Sequence, residues 1–162
     1  MINTENKVKT LVSLCLLTGT LDAMAALLIG YKVSPAVIFQ FIASGWFGKA
    51  AFAGGTAMVL WGILFHYLIA SAFSIVFFIL YPGFIQVLKN KYLTGVVFGL
   101  MTWAIMNLAV LPLTNIPKRA GGVKPLSLIE GIVALIIAIG IPVAVITERY
   151  YRKRLLRKTL DV

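Results

Sequence analysis

The chain has 162 residues, of which 60% are hydrophobic and 12% are charged, and its mean hydropathy is +0.97. A soluble domain of this length has too little polar surface to cover so much apolar surface, so the composition predicts an integral membrane protein with one domain over residues 1–162. The net charge of +10 does not indicate a nucleic-acid ligand, because the basic residues stand at the ends of apolar runs and in the C-terminal tail, where they suit membrane topology and lipid headgroups.

The first apolar segment runs from about Thr10 to Gly30 and contains one acidic residue, Asp22. About 20 residues of helix cross the roughly 30 Å of hydrocarbon in a bilayer, so we expect a membrane-spanning helix here. Lys7 before the run and the AMA stretch at 23–25 imitate a signal peptide with its cleavage site. Because the run stays apolar past that site, the pattern favours a retained helix.

The next segment, 34–53, is too apolar for an ordinary loop, and it opens with a Ser-Pro pair that is typical of a helix start. A helix from Pro35 to Ser44 measures about 15 Å, which is too short to span a bilayer. We therefore expect a short extra helix that either lies flat in the outer interface or re-enters the membrane. Gln40 and Lys49 favour the flat orientation, because both are costly at depth.

Three further segments are long enough to span a membrane. They run over about Thr56–Tyr81, Leu93–Leu113 and Ser127–Thr147, and a basic tail follows at 148–162. With four spans, the N-terminus, the loop between the second and third spans, and the tail share one side, which carries 10 Lys or Arg against 5 on the other. The positive-inside rule then predicts that both termini are cytoplasmic. The fold class is thus all-α, with four transmembrane helices and one extra short helix after the first.

Two features of the fourth segment predict its local shape. Ser127 and Glu130, in the stretch SLIE, fit the capping box that starts a helix. Pro142 leaves the carbonyl oxygen of Ala138 without its helical donor, so we expect a kink beside Gly140.

Three strongly polar residues lie deep inside these apolar segments, namely Asp22, His66 and Asn107, whereas Glu130 stands near the start of its segment. An ionisable group at the bilayer centre costs about 2.5 kcal/mol or more, so it normally faces the bundle interior and has a partner. Counted at 1.5 Å per residue along alternating helices, all three can share one layer. A carboxylate beside an imidazole is able to bind and release a proton, whereas the same side chains can also serve only as hydrogen bonds between helices.

Small residues on the same helix faces predict where the helices pack. The four glycines expected at these contacts are Gly19, Gly62, Gly95 and Gly99. Without side chains they let helix backbones approach closely. The single cysteine, Cys15, excludes an intramolecular disulfide and any metal site built from several cysteines.

Five motifs carry a resemblance to a known group of proteins. They are GTLDAMAA (19–26), FIASGWFGKAAFAGG (41–55), GILFHYLIA (62–70), IMNLAVLPL (105–113) and GIPVA (140–144). Together they resemble a family of small bacterial four-helix inner-membrane proteins and, more distantly, the YagU-like inner-membrane proteins. The resemblance implies a four-helix fold in the bacterial inner membrane. It covers nearly the whole chain, and the three polar residues fall within its motifs, but it implies no chemistry.

Two functions stay open from the sequence. The first is binding or translocation of a proton or small solute at the polar cluster, which in so small a bundle calls for a homo-oligomer. The second is a non-catalytic membrane subunit or scaffold, in which Trp46 and Phe47 of the outer segment contact a partner protein. We favour the first. No nucleophile–base pair, metal-ligand pair or phosphate loop is present in the sequence, so we expect no enzyme, no cofactor and no metal.

Overall fold

The computed structural model describes residues 4–117 and 125–160, with side chains described for 7–117 and 125–152, and every regular element in these ranges is helical. The α-helices are α1 (Thr4–Ile29), α2 (Pro35–Phe47), α3 (Gly55–Leu88), α4 (Lys91–Ile105), α5 (Pro125–Leu135) and α6 (Ile141–Leu160). A 3₁₀ segment (Gly48–Phe52) follows α2, and π-helical turns extend α4 (Met106–Val110) and join α5 to α6 (Ile136–Gly140).

The described residues contain four helical stretches that are long and apolar enough to cross a membrane: Lys7–Ile29, Gly55–Leu88, Lys91–Leu113 and Pro125–Arg152. The all-α prediction is therefore confirmed for these residues, and so is the expected number of such helices. Three basic residues of the loop after α4, namely Lys118, Arg119 and Lys124, lie outside the described residues, as do the tail side chains beyond Arg152. That part of the charge count stays a prediction.

The short helix α2 starts as its Ser-Pro pair predicts. The Ser34 hydroxyl accepts a hydrogen bond from the backbone N–H of Val37 at 3.4 Å, and Pro35 occupies the first helical position. The helix stops at Gly48, whose φ of 60° is a backbone conformation that favours glycine. Its buried face, which includes Gln40, packs on the first part of α3.

The second long helix extends beyond the predicted boundary at Tyr81. It continues through Pro82 to Leu88, which makes it 34 residues long, or about 51 Å. Pro82 has no N–H for the carbonyl oxygen of Phe78, one turn earlier. The Tyr151 hydroxyl donates to that oxygen at 3.2 Å. A side chain of α6 therefore replaces the hydrogen bond that the proline cannot make, and the helix continues past residue 82.

The last long helix is interrupted by a π-helical turn beside Gly140, where Pro142 predicts a kink. The turn ends two residues before the proline and contains Ala138, whose carbonyl oxygen lacks its helical donor, and such an interruption is where a helix readjusts. The capping-box prediction is wrong, because α5 is already helical from Pro125 and Ser127 lies within its first turn.

Glycines bring the helix backbones into direct contact at two places. A Cβ atom on Gly62 would overlap the carbonyl oxygen of Phe39, so the backbones of α2 and α3 touch. A Cβ atom on Gly99 would lie 2.6 Å from the Cα atom of Ile136. Gly95 meets the backbone of Gly140 in the same seam, so α4 packs on the π-helical turn of the last helix.

The two ends of the bundle differ in chemistry. We call the end where α1 and α4 begin and α3 stops the aromatic end. Its buried core consists of Leu14, Phe77, Phe78, Tyr81, Phe98, Ile139, Val143 and Ala144. An ion pair between Lys91 Nζ and Glu148 Oε2, 3.0 Å apart, joins α4 to α6 there. We call the opposite end, where α2 connects α1 to α3, the α2 end.

Candidate functional site

Asp22 and His66 face each other across the contact between α1 and α3. The His66 Nε2 atom lies 3.9 Å from the Asp22 Oδ2 atom. The His66 side chain is 8% exposed and the Asp22 side chain is 23% exposed. The structure therefore brings two of the three predicted polar residues together, and we call them the Asp22–His66 pair.

A main-chain group orients the imidazole ring. The His66 Nε2 atom lies 2.8 Å from the carbonyl oxygen of Gly19. Because a carbonyl oxygen can only accept, Nε2 must carry the hydrogen and donate it. The neutral ring is then the Nε2–H tautomer, with its lone pair on Nδ1. The 3.9 Å separation from Asp22 is an ion-pair distance and is too long for a direct hydrogen bond.

Gly19 also makes room for this arrangement. A Cβ atom at residue 19 would lie 2.6 Å from the ring of Tyr67. That ring stands edge-on to the imidazole, 5.6 Å from it, and its hydroxyl forms a 2.9 Å hydrogen bond with the Thr20 hydroxyl. Phe39 of α2 also stands edge-on to the imidazole at 6.4 Å. The ring of His66 is thus held by aromatic neighbours as well as by its hydrogen bond.

A second polar contact lies one helical turn from Asp22 toward the aromatic end. The hydroxyls of Thr18 and Ser74 are 2.8 Å apart and both residues are fully buried. Thr18 also lies 2.8 Å from the carbonyl oxygen of Leu14. Since that oxygen can only accept, Thr18 donates to it and Ser74 donates to Thr18. The sequence showed both residues on small-residue stripes, but not that their hydroxyls meet.

Asn107 takes part in a different contact. It lies in the π-helical turn Met106–Val110, and its Nδ2 atom donates to the carbonyl oxygen of Trp103 at 2.9 Å. The same carbonyl oxygen also accepts from the backbone N–H of Met106, so the Asn107 amide adds a second hydrogen bond at the start of the π-helical turn. Among the described residues, the hydrogen bond of Asn107 stays within its own helix and does not reach the Asp22–His66 pair.

The two residues that the sequence singles out on the outer segment have different environments. Trp46 is 73% exposed. Phe47 packs inside the chain, with its ring 5.8 Å from that of Trp61 and 6.2 Å from that of Phe65. The Asn115 side chain donates to the carbonyl oxygen of Trp46 at 3.1 Å, so the end of α2 is tied to the chain that follows α4.

No family model, curated protein or solved structure matches this chain. Within residues 4–117 and 125–160, no three His, Cys, Asp or Glu side chains lie close enough together to hold a metal ion. What the arrangement offers is a carboxylate and an imidazole at ion-pair distance, placed between two long apolar helices.

Proposed function

We propose that this chain is a four-helix membrane protein that binds or translocates a proton or a small solute at the Asp22–His66 pair. Its four long apolar helices support the membrane assignment. The resemblance to bacterial inner-membrane proteins and the excess of basic residues beside both termini support an inner-membrane location with cytoplasmic termini. The proposal includes no catalytic step, and translocation through so small a bundle calls for a homo-oligomer in the lipid bilayer.

The 3.9 Å separation of Asp22 and His66 is the observation that carries this proposal. At this distance the charge of either group acts directly on the other. With one proton between them, the pair is neutral overall, either as carboxylate and imidazolium or as carboxylic acid and imidazole. A second proton, or none, leaves a net charge between the helices, which is costly at membrane depth. The charge of the site therefore responds directly to a bound proton.

Proton flux in proteoliposomes tests the proposal. The purified chain is reconstituted with a pH-sensitive dye inside, and a proton gradient is imposed. Asp22→Asn should reduce the flux to that of protein-free liposomes, while the yield of folded protein stays unchanged. Glu148→Gln is the matched control, because it makes the same change of carboxylate to amide outside the site and should retain the flux. An equal flux in the Asp22→Asn and unmodified proteins would show the proposal to be wrong.

The exposure of Trp46 favours a second candidate, a non-catalytic subunit or scaffold. An exposed aromatic side chain on a helix end held by Asn115 is a suitable anchor for a partner protein. This candidate predicts a co-purifying protein that is lost in Trp46→Ala and retained in Tyr31→Ala, which removes a similarly exposed aromatic ring. A preparation that contains only this chain, both in mild detergent and in lipid, would count against it.

A further inference from the structure

We infer that, in the conformation described above, the Asp22–His66 pair exchanges with water through the α2 end, and that the aromatic end is closed to water and ions in this conformation. This inference rests on the proposed function, since it states from which side a ligand reaches the proposed site. Two observations support it: the positions of Asp22 and His66 along their helices, and the side chains that are buried on either side of the pair.

The pair lies closer to the α2 end on both helices. Asp22 stands seven residues before the last residue of α1 and 18 residues after its first, which corresponds to about 10 Å and 27 Å. His66 stands 11 residues after the start of α3 and 22 before its end, which corresponds to about 16 Å and 33 Å. Along either helix, the distance from the pair to the α2 end is therefore half or less of the distance to the aromatic end.

Buried polar side chains mark the α2 end of this path. Gln40 and Ser44 lie on the face of α2 that packs on α3, and both are buried. The Gln40 Nε2 atom donates to the carbonyl oxygen of Gly55 at 3.4 Å, at the first residue of α3. The chain between α2 and α3 also contains non-helical backbone at 53–54. Both residues of this non-helical segment are exposed.

Toward the aromatic end, the hydrogen bonds between buried side chains of the described residues stop one helical turn from Asp22. Ser74 donates to Thr18, and Thr18 donates to the carbonyl oxygen of Leu14. A carbonyl oxygen has no proton to pass on, so this chain of hydroxyls cannot relay a proton further. Beyond it the rings of Phe77 and Phe98 are 3.8 Å apart and both residues are buried.

Two buried hydroxyls lie on the far side of this aromatic layer. Tyr81 Oη and Thr147 Oγ1 are buried without a hydrogen-bond partner among the described residues. Tyr81 is seven residues beyond Ser74, about 10 Å along α3, and the buried Phe77 and Phe78 stand between them. Water that entered at the aromatic end could bind to these two hydroxyls on its way to the Asp22–His66 pair. The experiment therefore has to distinguish entry at the aromatic end from entry at the α2 end.

Cysteine labelling distinguishes them, and the chain has only one native cysteine to remove. In a Cys15→Ser background, single cysteines are introduced and treated with a charged, membrane-impermeant thiol reagent on one side of sealed vesicles at a time. Lys49→Cys and Lys89→Cys serve as references, because both positions are exposed and they lie at the α2 end and the aromatic end. Asp22→Cys should react at least about tenfold faster from the side that labels residue 49, because reactivity follows access of the reagent to the thiolate.

Each remaining outcome contradicts the inference. Labelling of Asp22→Cys from the side of residue 89, or equally from both sides, would show that the aromatic end is open. Absence of labelling from both sides would show that water does not reach the pair at all. Ala26→Cys, one turn from Asp22 toward the α2 end, repeats the measurement if the first variant fails to fold. Ser74→Cys should stay unlabelled from either side.

The labelling result is independent of the flux measurement. If flux survives Asp22→Asn while labelling is one-sided, the proposed function fails and the access route stands. If flux depends on Asp22 while labelling is two-sided, the function stands and the access route fails.

Discussion

His66 donates its Nε2–H to the main-chain oxygen of Gly19 at 2.8 Å, so a side chain of α3 is fixed to the backbone of α1. This bond sets the tautomer of the ring and turns its Nε2 atom toward Asp22 at ion-pair distance. It also explains why residue 19 is a glycine, since a side chain there would collide with Tyr67. The Asp22–His66 pair and the contact of Gly19 with Tyr67 therefore lie at the same place in the fold.

The free energy of unfolding should reveal the coupling within the Asp22–His66 pair. Asp22→Asn removes one charge, and His66→Gln removes the other titratable group while keeping an amide N–H for the Gly19 oxygen. Removing one partner leaves the other charge buried without compensation. We expect the double variant to lose less than the sum of the single losses, with a coupling energy of about 0.5–3 kcal/mol, measured by denaturant unfolding in detergent micelles.

The ion pair at the aromatic end provides the reference for that measurement. Lys91 and Glu148 are each about one-third exposed, so Lys91→Gln and Glu148→Gln should couple by only about 0.2–1 kcal/mol. Additive losses in the double variant of Asp22 and His66 would contradict a direct interaction between them.

Substitution of Gly62 should weaken the packing of α2 on α3. A methyl group there would overlap the backbone carbonyl of Phe39, which cannot move aside as the end of a flexible side chain can. Overpacking of this kind costs about 1–3 kcal/mol, so Gly62→Ala should lower the thermal unfolding temperature. Gly83→Ala is the control, because nothing lies within 4 Å of its added methyl group and alanine is the better helix former. Equal unfolding temperatures in the two variants would exclude a direct backbone contact at Gly62.

The hydrogen bond from Tyr151 to Phe78 should matter more because Pro82 is present. Tyr151→Phe removes the donor and should cost about 0.5–1.5 kcal/mol of unfolding free energy. In a Pro82→Ala background the restored backbone N–H satisfies the same carbonyl oxygen, so the loss should become smaller. Denaturant unfolding of the four proteins measures both values. A loss of the same size in both backgrounds would show that Tyr151 stabilises the fold through its other contacts.

The long apolar runs of the sequence were enough to predict the membrane-spanning helices. Long apolar runs have one stable form when they are surrounded by lipid, because a helix satisfies its backbone hydrogen bonds within itself. The start of α2 was also predictable, since the Ser34 cap and Pro35 act on the backbone of their own turn. The end of α3 was not, because the compensation of Pro82 comes from Tyr151, 69 positions further along the chain.

The sequence by itself determined the helical class, the four long apolar segments, the short helix between the first two, and the presence of Asp22, His66 and Asn107 inside apolar runs. Only the tertiary structure decided that Asp22 meets His66 and that Asn107 bonds within its own helix. Depth along a helix follows from counting residues, but which side chains meet depends on how each helix is rotated about its axis. That rotation is set by contacts between helices, such as Gly19 against Tyr67 and Gly62 against Phe39, which exist only once the bundle has packed.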